Sequence, residues 1–492
     1  MEDRAETIDD DLLFTESRQE SYIEKLRSVR LASLSWWLIL STASIALSLA
    51  FFHLFVAAFG TPESRAFRST HLAGMLVLAI LTTPLWRKSL TDPILTESGR
   101  TDIRKLIGLA LDLVFIFLVL AIQTYTLYDI QAFQQREGNL STTDVFAGSI
   151  LLVLVLEAAR RVVGWPMVII TTFFVAHALT ANYFSGLFFG PPVSYVRLID
   201  ILFVRADGVF GVPLMVAATY IVLFIIFGAI LVRSGAGKFF LDLAISLTGH
   251  LRGGPAKASV VASAFLGTIS GSAVANVATT GAFTIPLMKR IGYSPRFSAA
   301  VEACSSSGGQ ITPPIMGAAA FIIAEYLRVS YMTVLGAAII PTILYFFTVY
   351  MMVDLEADKS GVKRIEKEHL PNIGKVLRTG WHQLLTLIVL IALLAIGYTA
   401  MLAAFGGIVV LFILSFISPH TRLSTVDFLT AFETGIRNAV PVTVACACAG
   451  IIIGSIFSSG IGLKFTNSVI TLSGGNLFFL LVLTAGAAIV LG

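Results

Sequence analysis

Long apolar runs alternate with short charged segments along most of the chain. A membrane-spanning helix needs about 20 mostly apolar residues, and runs close to this length recur from residue 34 onwards. The predicted spans are 34–58, 69–86, 106–127, 143–159, 163–183, 209–232, 331–353, 379–397, 400–418 and 438–458, with a further apolar run at 477–492. The pattern predicts an all-α polytopic membrane protein.

The pattern becomes irregular between 257 and 327. Residues 257–290 are too few for two full spans and a turn, and they begin and end with basic residues. We therefore predict a re-entrant helical hairpin that enters the membrane, breaks and returns to the same side. The break is expected near 270–276, where Gly271 relaxes the backbone. Irregular backbone at membrane depth is tolerated only where protein buries it or it lines a cavity.

The hairpin break carries small polar side chains instead of apolar ones. Ser270, Ser272 and Asn276 offer neutral oxygens that suit a hard cation such as Na⁺, and Thr279 and Thr280 are weaker candidates. The alternative interpretation is tight helix packing, because small residues let neighbouring helices approach closely. Composition alone leaves both interpretations open.

A second interruption divides the run 297–327, where two glycines are followed by two prolines. A proline lacks the backbone donor and biases the preceding residue, Thr312, away from helical geometry. We predict a broken helix whose second half starts near Pro313, with N-terminal amides that favour an anion. The carbonyls of Gly309 and Thr312 would be free for a cation. Two interruptions so close together favour an ion and substrate site over packing alone.

Three acidic residues in apolar surroundings have alternative interpretations. Glu302 and Glu325 flank the broken helix and are either proton sites or paired structural carboxylates, with the second interpretation favoured. Glu157 lies within i,i+3 and i,i+4 reach of Arg160 and Arg161. A neutralised pair at a helix end is favoured there over a proton relay.

Composition supports a membrane location. The 492 residues are 56% hydrophobic and 13% charged, against about 25% charged in soluble domains. The distribution of Lys and Arg places the N-terminus in the cytoplasm, together with the loops 87–105 and 354–380. Residues 1–33 are predicted to be a cytoplasmic tail that ends in an interfacial helix. The three cysteines are too few for a disulfide framework and show no metal-binding spacing.

An internal repeat appears at an offset of 225 residues. Ser234-Gly-Ala-Gly237 corresponds to Ser459-Gly-Ile-Gly462, and further matches follow without gaps. The predicted topology makes the two copies inverted, which is the architecture of secondary transporters. Because Gly492 corresponds to Gly267, we expect the counterpart of the first hairpin tip to begin beyond the sequence, so that the second repeat is incomplete.

At these residues the sequence resembles the membrane component of tripartite ATP-independent periplasmic (TRAP) transporters, of the DctM-like type with fused small and large subunits. The resemblance is carried by SGSAVANVATTGAFTIPLMKRIGYSP (270–295), EACSSSGGQITPPIMGAAAF (302–321) and LEAARRVVGW (156–165). It implies an elevator-type transporter that couples Na⁺ to transport. The implied Na⁺ residues are Ser270, Ser272, Asn276, Gly309, Thr312 and Pro314. Candidates for the substrate region are Thr279, Thr280, Gln310 and Pro313.

The resemblance also implies a domain organisation and partners. Residues 34–205 correspond to small-subunit and linker helices, 206–353 to the first repeat of the transport core, and 381–492 to the start of the second repeat. A periplasmic binding protein, of the TAXI type in many fused members, would deliver a small organic acid at the bacterial inner membrane. No cofactor other than the coupling ion and no nucleic acid is expected. Since the resemblance implies a second hairpin, we expect the truncated chain not to transport.

Two other classes of function remain open. The first is a binding-protein-independent carrier of ions or organic anions on a related fold. The second is a membrane receptor or enzyme that uses the same scaffold. The seven histidines show no HExxH-type spacing, which argues against an enzyme.

Overall fold

Helices account for all the regular secondary structure in the described part of the chain. The computed structural model describes residues 21–28, 34–86, 90, 102–362, 370–416 and 421–491. Seven helices within these ranges are long and apolar enough to cross a membrane. The all-α prediction is therefore confirmed. Most of the predicted tail 1–33 and much of the loop 87–105 lie outside the described residues.

The helices follow one another with short connections. The first are α1 (Tyr22–Ser28), α2 (Leu34–Phe59), α3 (Ser64–Thr82), α4 (Ile103–Tyr128), α5 (Ile130–Gln135), α6 (Thr142–Val162), α7 (Trp165–Thr180) and α8 (Tyr195–Ile199). Next come α9 (Val212–Val216), α10 (Val222–Leu231), α11 (Gly237–Thr248), α12 (Gly254–Ser270), α13 (Ala273–Arg290) and α14 (Pro295–Gly308). The last are α15 (Ala318–Leu327), α16 (Tyr331–Lys359), α17 (Ile373–Ile396), α18 (Ala400–Leu414), α19 (Thr425–Ser459), α20 (Ile461–Leu472) and α21 (Leu477–Leu491). Short π-helical turns join α9 to α10 and α10 to α11.

Contacts among the described residues divide the chain into two compact units. The first comprises residues 1–60 and 219–439, and the second comprises 61–218 and 440–492. All the candidate ion and substrate residues belong to the first unit. Within that unit a hydrophobic cluster that includes Val260, Met288, Val301 and Val353 packs both hairpin helices, α12 and α13, against α14 and α16.

Several predicted boundaries are wrong because polar residues continue or cap helices. The span predicted at 69–86 is α3, which starts five residues earlier after its cap, Glu63, accepts a hydrogen bond from Ala66 N. The loop predicted at 354–380 is shorter. Helix α16 continues to Lys359, and Asn372 caps α17. The last full span predicted, 438–458, begins at Thr425 instead.

Glu157 forms the neutralised pair that was favoured from the sequence. In the second unit its carboxylate accepts hydrogen bonds from Arg160 and Arg161 at 2.7–2.8 Å. Arg161 also donates to Asp112 at 2.7 Å, and both of these side chains are about 95% buried. This ion-pair cluster accounts for Glu157 without a proton relay.

The local structure of the repeated sequence recurs at the offset of 225 residues. Gly235 has φ +92° and Gly460 has φ +73°, and each precedes a helix of 12 residues, α11 and α20 respectively. Glycine is the residue that adopts this left-handed conformation without strain. The two copies therefore share a backbone feature as well as residue identities.

Candidate ion and substrate site

The hairpin break is confined to two residues. Helix α12 ends at Ser270, Gly271 takes φ +56°, and Ser272 caps α13 by accepting from Ala275 N at 3.3 Å. A Cβ on Gly271 would lie 2.0 Å from Met316 O, so both the conformation and the space require glycine. The helices fold back on each other, since Asn276 Nδ2 donates to Ser263 O at 2.9 Å. Asn276 itself lies in the first turn of α13, beyond the break.

The broken helix is interrupted over more residues than the sequence predicted. Helix α14 ends at Gly308, a 3₁₀ turn follows, and Thr312 is extended with φ −87° and ψ 118°. The second half, α15, begins at Ala318, so its predicted start near Pro313 is wrong. The reason is that Met316 has φ +56° and Gly317 is extended, which prevents helical bonding directly after the prolines.

The two interruptions meet. A Cβ on Gly267 would lie 2.4 Å from Gly309 Cα, and a Cβ on Gly309 would lie 3.3 Å from Asn276 Nδ2. The end of α14 is therefore packed directly on both arms of the hairpin. Residues that are about 40 positions apart in the sequence form one small, mostly buried region.

Neutral oxygens line this region, and one of them has no partner. Asn276 is 1% exposed, and its Oδ1 has no hydrogen-bond partner. A buried acceptor without a partner is costly, and a cation ligated by that oxygen would remove the cost. Ser270 and Ser272 are half-buried at the break and bond to each other through Ser272 N and Ser270 Oγ at 3.4 Å.

The backbone carbonyls of the three candidate cation ligands in the broken helix each accept a hydrogen bond. Gly309 O accepts from Thr312 N, and Thr312 O accepts from Met316 N, both at 3.2 Å. Pro314 O accepts from Tyr331 OH at 2.7 Å. The prediction that the carbonyls of Gly309 and Thr312 are free is wrong. Because a carbonyl has two lone pairs, each can still bind a cation.

The substrate-region candidates have different surroundings. Thr279 is half-buried and donates to Ala275 O at 2.8 Å. Gln310 is exposed, and its carbonyl accepts from Gly317 N at 2.7 Å. Pro313 is half-buried. Thr280 is buried and donates to the carboxylate of Glu302, so it points to a different cluster from the one in which it was predicted.

Glu302, for which the sequence left open a proton site or a paired structural carboxylate, is surrounded by hydrogen-bond donors. Its partners are hydroxyl groups, and it forms no ion pair with another described residue, so the pairing that was favoured from the sequence is made by uncharged donors. The hydroxyls come from α12, α13 and α14. The donors are Ser259, Ser263, Thr280, Thr284 and Ser306. The spacing of four residues between the two donors on α12, and between the two on α13, indicates that each pair lies on one helix face. The spacing does not show that Glu302 is the acceptor, which becomes clear only from the packing of the helices.

Paired helix interruptions in an all-α protein with several apolar spans are typical of secondary transporters. The comparison with known protein families also indicates a transporter, and it identifies the family. Residues 150–492 match the family described as "Tripartite ATP-independent periplasmic transporter, DctM component", and the chain belongs to this family. Because the family and its members are transporters, the prediction that the chain is not an enzyme is confirmed.

Individual relatives match over shorter stretches. The C4-dicarboxylate TRAP transporter large permease protein DctM of Pseudomonas aeruginosa is 26% identical over 197 residues, 39% of this chain and 45% of that protein. The 2,3-diketo-L-gulonate TRAP transporter large permease protein YiaN of Escherichia coli is 27% identical over 168 residues, 34% of this chain and 39% of that protein. The isethionate TRAP transporter permease protein DctMQ of Oleidesulfovibrio alaskensis is 33% identical over 123 residues, 25% of this chain and 18% of that protein. The matched stretches thus span less than half of each relative.

Proposed function

We propose that the chain is the membrane component of a Na⁺-coupled transporter that takes up a small organic acid. The observation that carries the proposal is Asn276 Oδ1, a buried acceptor without a partner beside the place where the two helix interruptions meet. Na⁺ would be held by Asn276, Ser270 and Ser272 together with the second lone pairs of the carbonyls of Gly309, Thr312 and Pro314. These ligands are all neutral, so the site carries no charge of its own when empty.

The proposed substrate class rests on the relatives and on the helix ends. The names of two of the matched permeases specify a C4-dicarboxylate and 2,3-diketo-L-gulonate, which are carboxylates, and a third specifies isethionate, a sulfonate. Two helices of the first unit, α13 and α15, start at the interruptions, after Ser272 and Gly317. Helix N-termini favour anions. Thr279, Thr280, Gln310 and Pro313 are the proposed substrate-region residues.

The proposal includes the cellular setting. The protein lies in the bacterial inner membrane with its N-terminus in the cytoplasm, and a periplasmic binding protein, with the TAXI type as our candidate, delivers the acid. Lys and Arg counts in the loops support the orientation. The large apolar side chains exposed on α4 and α16, such as Phe117 and Phe347, support contact with membrane lipid.

Uptake into liposomes tests the proposal. The full-length protein is reconstituted and supplied with labelled dicarboxylate, a candidate binding protein and either a Na⁺ or a choline gradient. We expect uptake only with Na⁺ and the binding protein, and loss of the Na⁺ dependence in Asn276→Ala. The matched control is Ser307→Ala, whose exposed hydroxyl donates to Ala303 O of its own helix at 2.8 Å. Uptake that needs no binding protein would instead identify an independent carrier, and uptake that ignores Na⁺ would refute the proposed coupling.

A further inference from the structure

A surface groove of the second unit runs along α4 and past its end. Its volume is about 520 Å³, within the range of ligand sites in proteins, about 300–1,000 Å³. The lining on α4 is mainly apolar and includes Phe117, Leu120 and Ala121. Beyond α4 the lining includes Asp129, which precedes α5, and Arg136, which follows α5. The groove is therefore apolar along one part and charged at one end.

The apolar part of the groove has the length of one membrane leaflet. Helix α4 is one of the apolar spans, and Phe117 and Leu120 are 68% and 51% exposed on it. From Phe117 to Tyr128 the helix rises by about 16 Å, and half of a bilayer hydrocarbon core is about 15 Å. Tyr128 ends α4 and is 91% exposed, as is typical of tyrosines at the membrane–water interface. Asp129 and Arg136 therefore lie at the depth of lipid headgroups.

Arg136 is fixed along one edge of its guanidinium group and free at the other. Its Nε donates to Asp144 Oδ2 at 2.8 Å, and its Nη2 donates to Asp144 Oδ1 at 3.0 Å and to Tyr125 OH at 3.2 Å. Nη1 forms no hydrogen bond with any residue that the structure describes, and the side chain is 32% exposed. Because a guanidinium group carries five N–H donors in a rigid fork, Nη1 can donate to a phosphate oxygen while Asp144 holds the rest.

Asp129 has the same arrangement with the opposite charge. Its Oδ1 caps α5 by accepting from Ala132 N at 2.9 Å. Within the described ranges its Oδ2 accepts no hydrogen bond, and the residue is exposed. The cap fixes the carboxylate and leaves one oxygen for an ammonium group. One end of the groove thus carries a fixed positive and a fixed negative charge.

We propose that this groove binds a phospholipid of the surrounding bilayer whose headgroup carries a primary ammonium group, such as phosphatidylethanolamine. One acyl chain lies along Phe117, Leu120 and Ala121. The phosphate accepts from Arg136 Nη1, and the ammonium group donates to Asp129 Oδ2. An anionic headgroup without an amine would be repelled by Asp129, and a choline headgroup has no N–H to donate. The site involves neither Na⁺ nor the transported acid, so it goes beyond the proposed function.

Native mass spectrometry of the full chain tests the headgroup assignment without substrate, Na⁺ or binding protein. The chain is titrated with phosphatidylethanolamine, phosphatidylcholine and phosphatidylglycerol that share the same acyl chains. We expect the first retained phosphatidylethanolamine to bind about two- to fivefold more tightly than the other two lipids, the usual effect of an exposed ion pair. Equal binding of the three lipids, or tighter binding of either of the other two, would overturn the proposal.

The contribution of Asp129 is tested with a variant that keeps the helix cap. Asparagine caps helices about as well as aspartate, so Asp129→Asn removes the charge and preserves α5. This variant should lose the preference for phosphatidylethanolamine. The matched control is Asp102→Asn, the same change at the cap of α4, which should keep the preference. A preference that survives in Asp129→Asn would contradict the assignment.

The apolar part of the groove is tested by filling it. Ala121→Trp places a large side chain in the path of the acyl chain and should remove the tighter binding of phosphatidylethanolamine. The matched control is Ala110→Trp, at an exposed alanine of the same helix outside the groove lining, which should bind like the wild type. Unchanged binding in Ala121→Trp, or an equal loss in both variants, would refute the groove as the lipid site.

Discussion

Gly267 and Gly309 pack backbone against backbone, so that a Cβ on Gly267 would come within 2.4 Å of Gly309 Cα. Gly267 lies on the first arm of the hairpin, one turn before its break. Gly309 lies at the first residue after α14. This contact brings the two interruptions together, and the candidate ion ligands of both segments depend on it.

Gly267→Ala should therefore destabilise the protein by about 1–3 kcal/mol, the usual cost of overpacking a dense interior. The neighbouring atoms are backbone atoms, which cannot turn aside as a flexible side chain can. The measurement is the free energy of unfolding of the detergent-solubilised protein. Na⁺ binding should weaken in the same variant, because Gly309 is displaced from its close approach to Asn276, another residue of the proposed site.

The matched control is Gly336→Ala in α16. A Cβ at Gly336 meets nothing within 4 Å, and alanine is a better helix former than glycine by about 1 kcal/mol. We expect Gly336→Ala to be neutral or slightly stabilising. Equal destabilisation by both substitutions would show that the close contact between Gly267 and Gly309 does not matter for stability.

Na⁺ should stabilise the folded protein through Asn276. A ligand that binds only the folded state raises stability with its concentration, by about 2.7 kcal/mol at 100 times its Kd. The melting temperature should rise with NaCl and should not rise with choline chloride at the same ionic strength. Asn276→Ala should lose most of the Na⁺-specific shift while Ser307→Ala keeps it. A full shift in Asn276→Ala would remove this residue from the set of ligands.

The sequence predicted where the helices break better than how the breaks are built. Gly271 and the Thr312-Pro313 step have local causes, since glycine and proline act on their own backbone, and the interruptions occur there. The restart at Ala318 depends on the left-handed conformation of Met316, which is not a property of that residue type. The five hydroxyl donors to Glu302 lie on the consecutive helices α12, α13 and α14 and meet at one carboxylate only when these helices pack, so the sequence alone does not reveal the cluster.

The two repeats should respond alike to substitution at their equivalent glycines. A Cβ at Gly235 or Gly460 meets nothing within 4 Å, but both glycines have positive φ. Gly235→Ala and Gly460→Ala should each cost about 1–2 kcal/mol, the penalty of a left-handed conformation for an L-residue. Measurements of the free energy of unfolding of both variants check this. Gly336→Ala serves as the control, because Gly336 does not have a positive φ. A cost at only one position would argue against a shared structural role.

The ion-pair cluster of the second unit should depend on Arg161 far more than on Arg160. Arg161 and Asp112 are buried partners, and without Arg161 the Asp112 carboxylate would keep only Leu85 N, at 3.0 Å. Arg161→Leu should therefore destabilise by about 3–5 kcal/mol, because it leaves a buried charge uncompensated.

Arg160 provides the matched comparison, since it is 31% exposed and shares Glu157 with Arg161. Arg160→Leu should cost about 0–1 kcal/mol, the usual value of an exposed pair. The double variant Arg161→Leu with Asp112→Leu should recover much of the stability lost in Arg161→Leu, because it removes the orphaned charge. Additive losses in the double variant would mean that the two side chains stabilise the unit through packing and not through their charges.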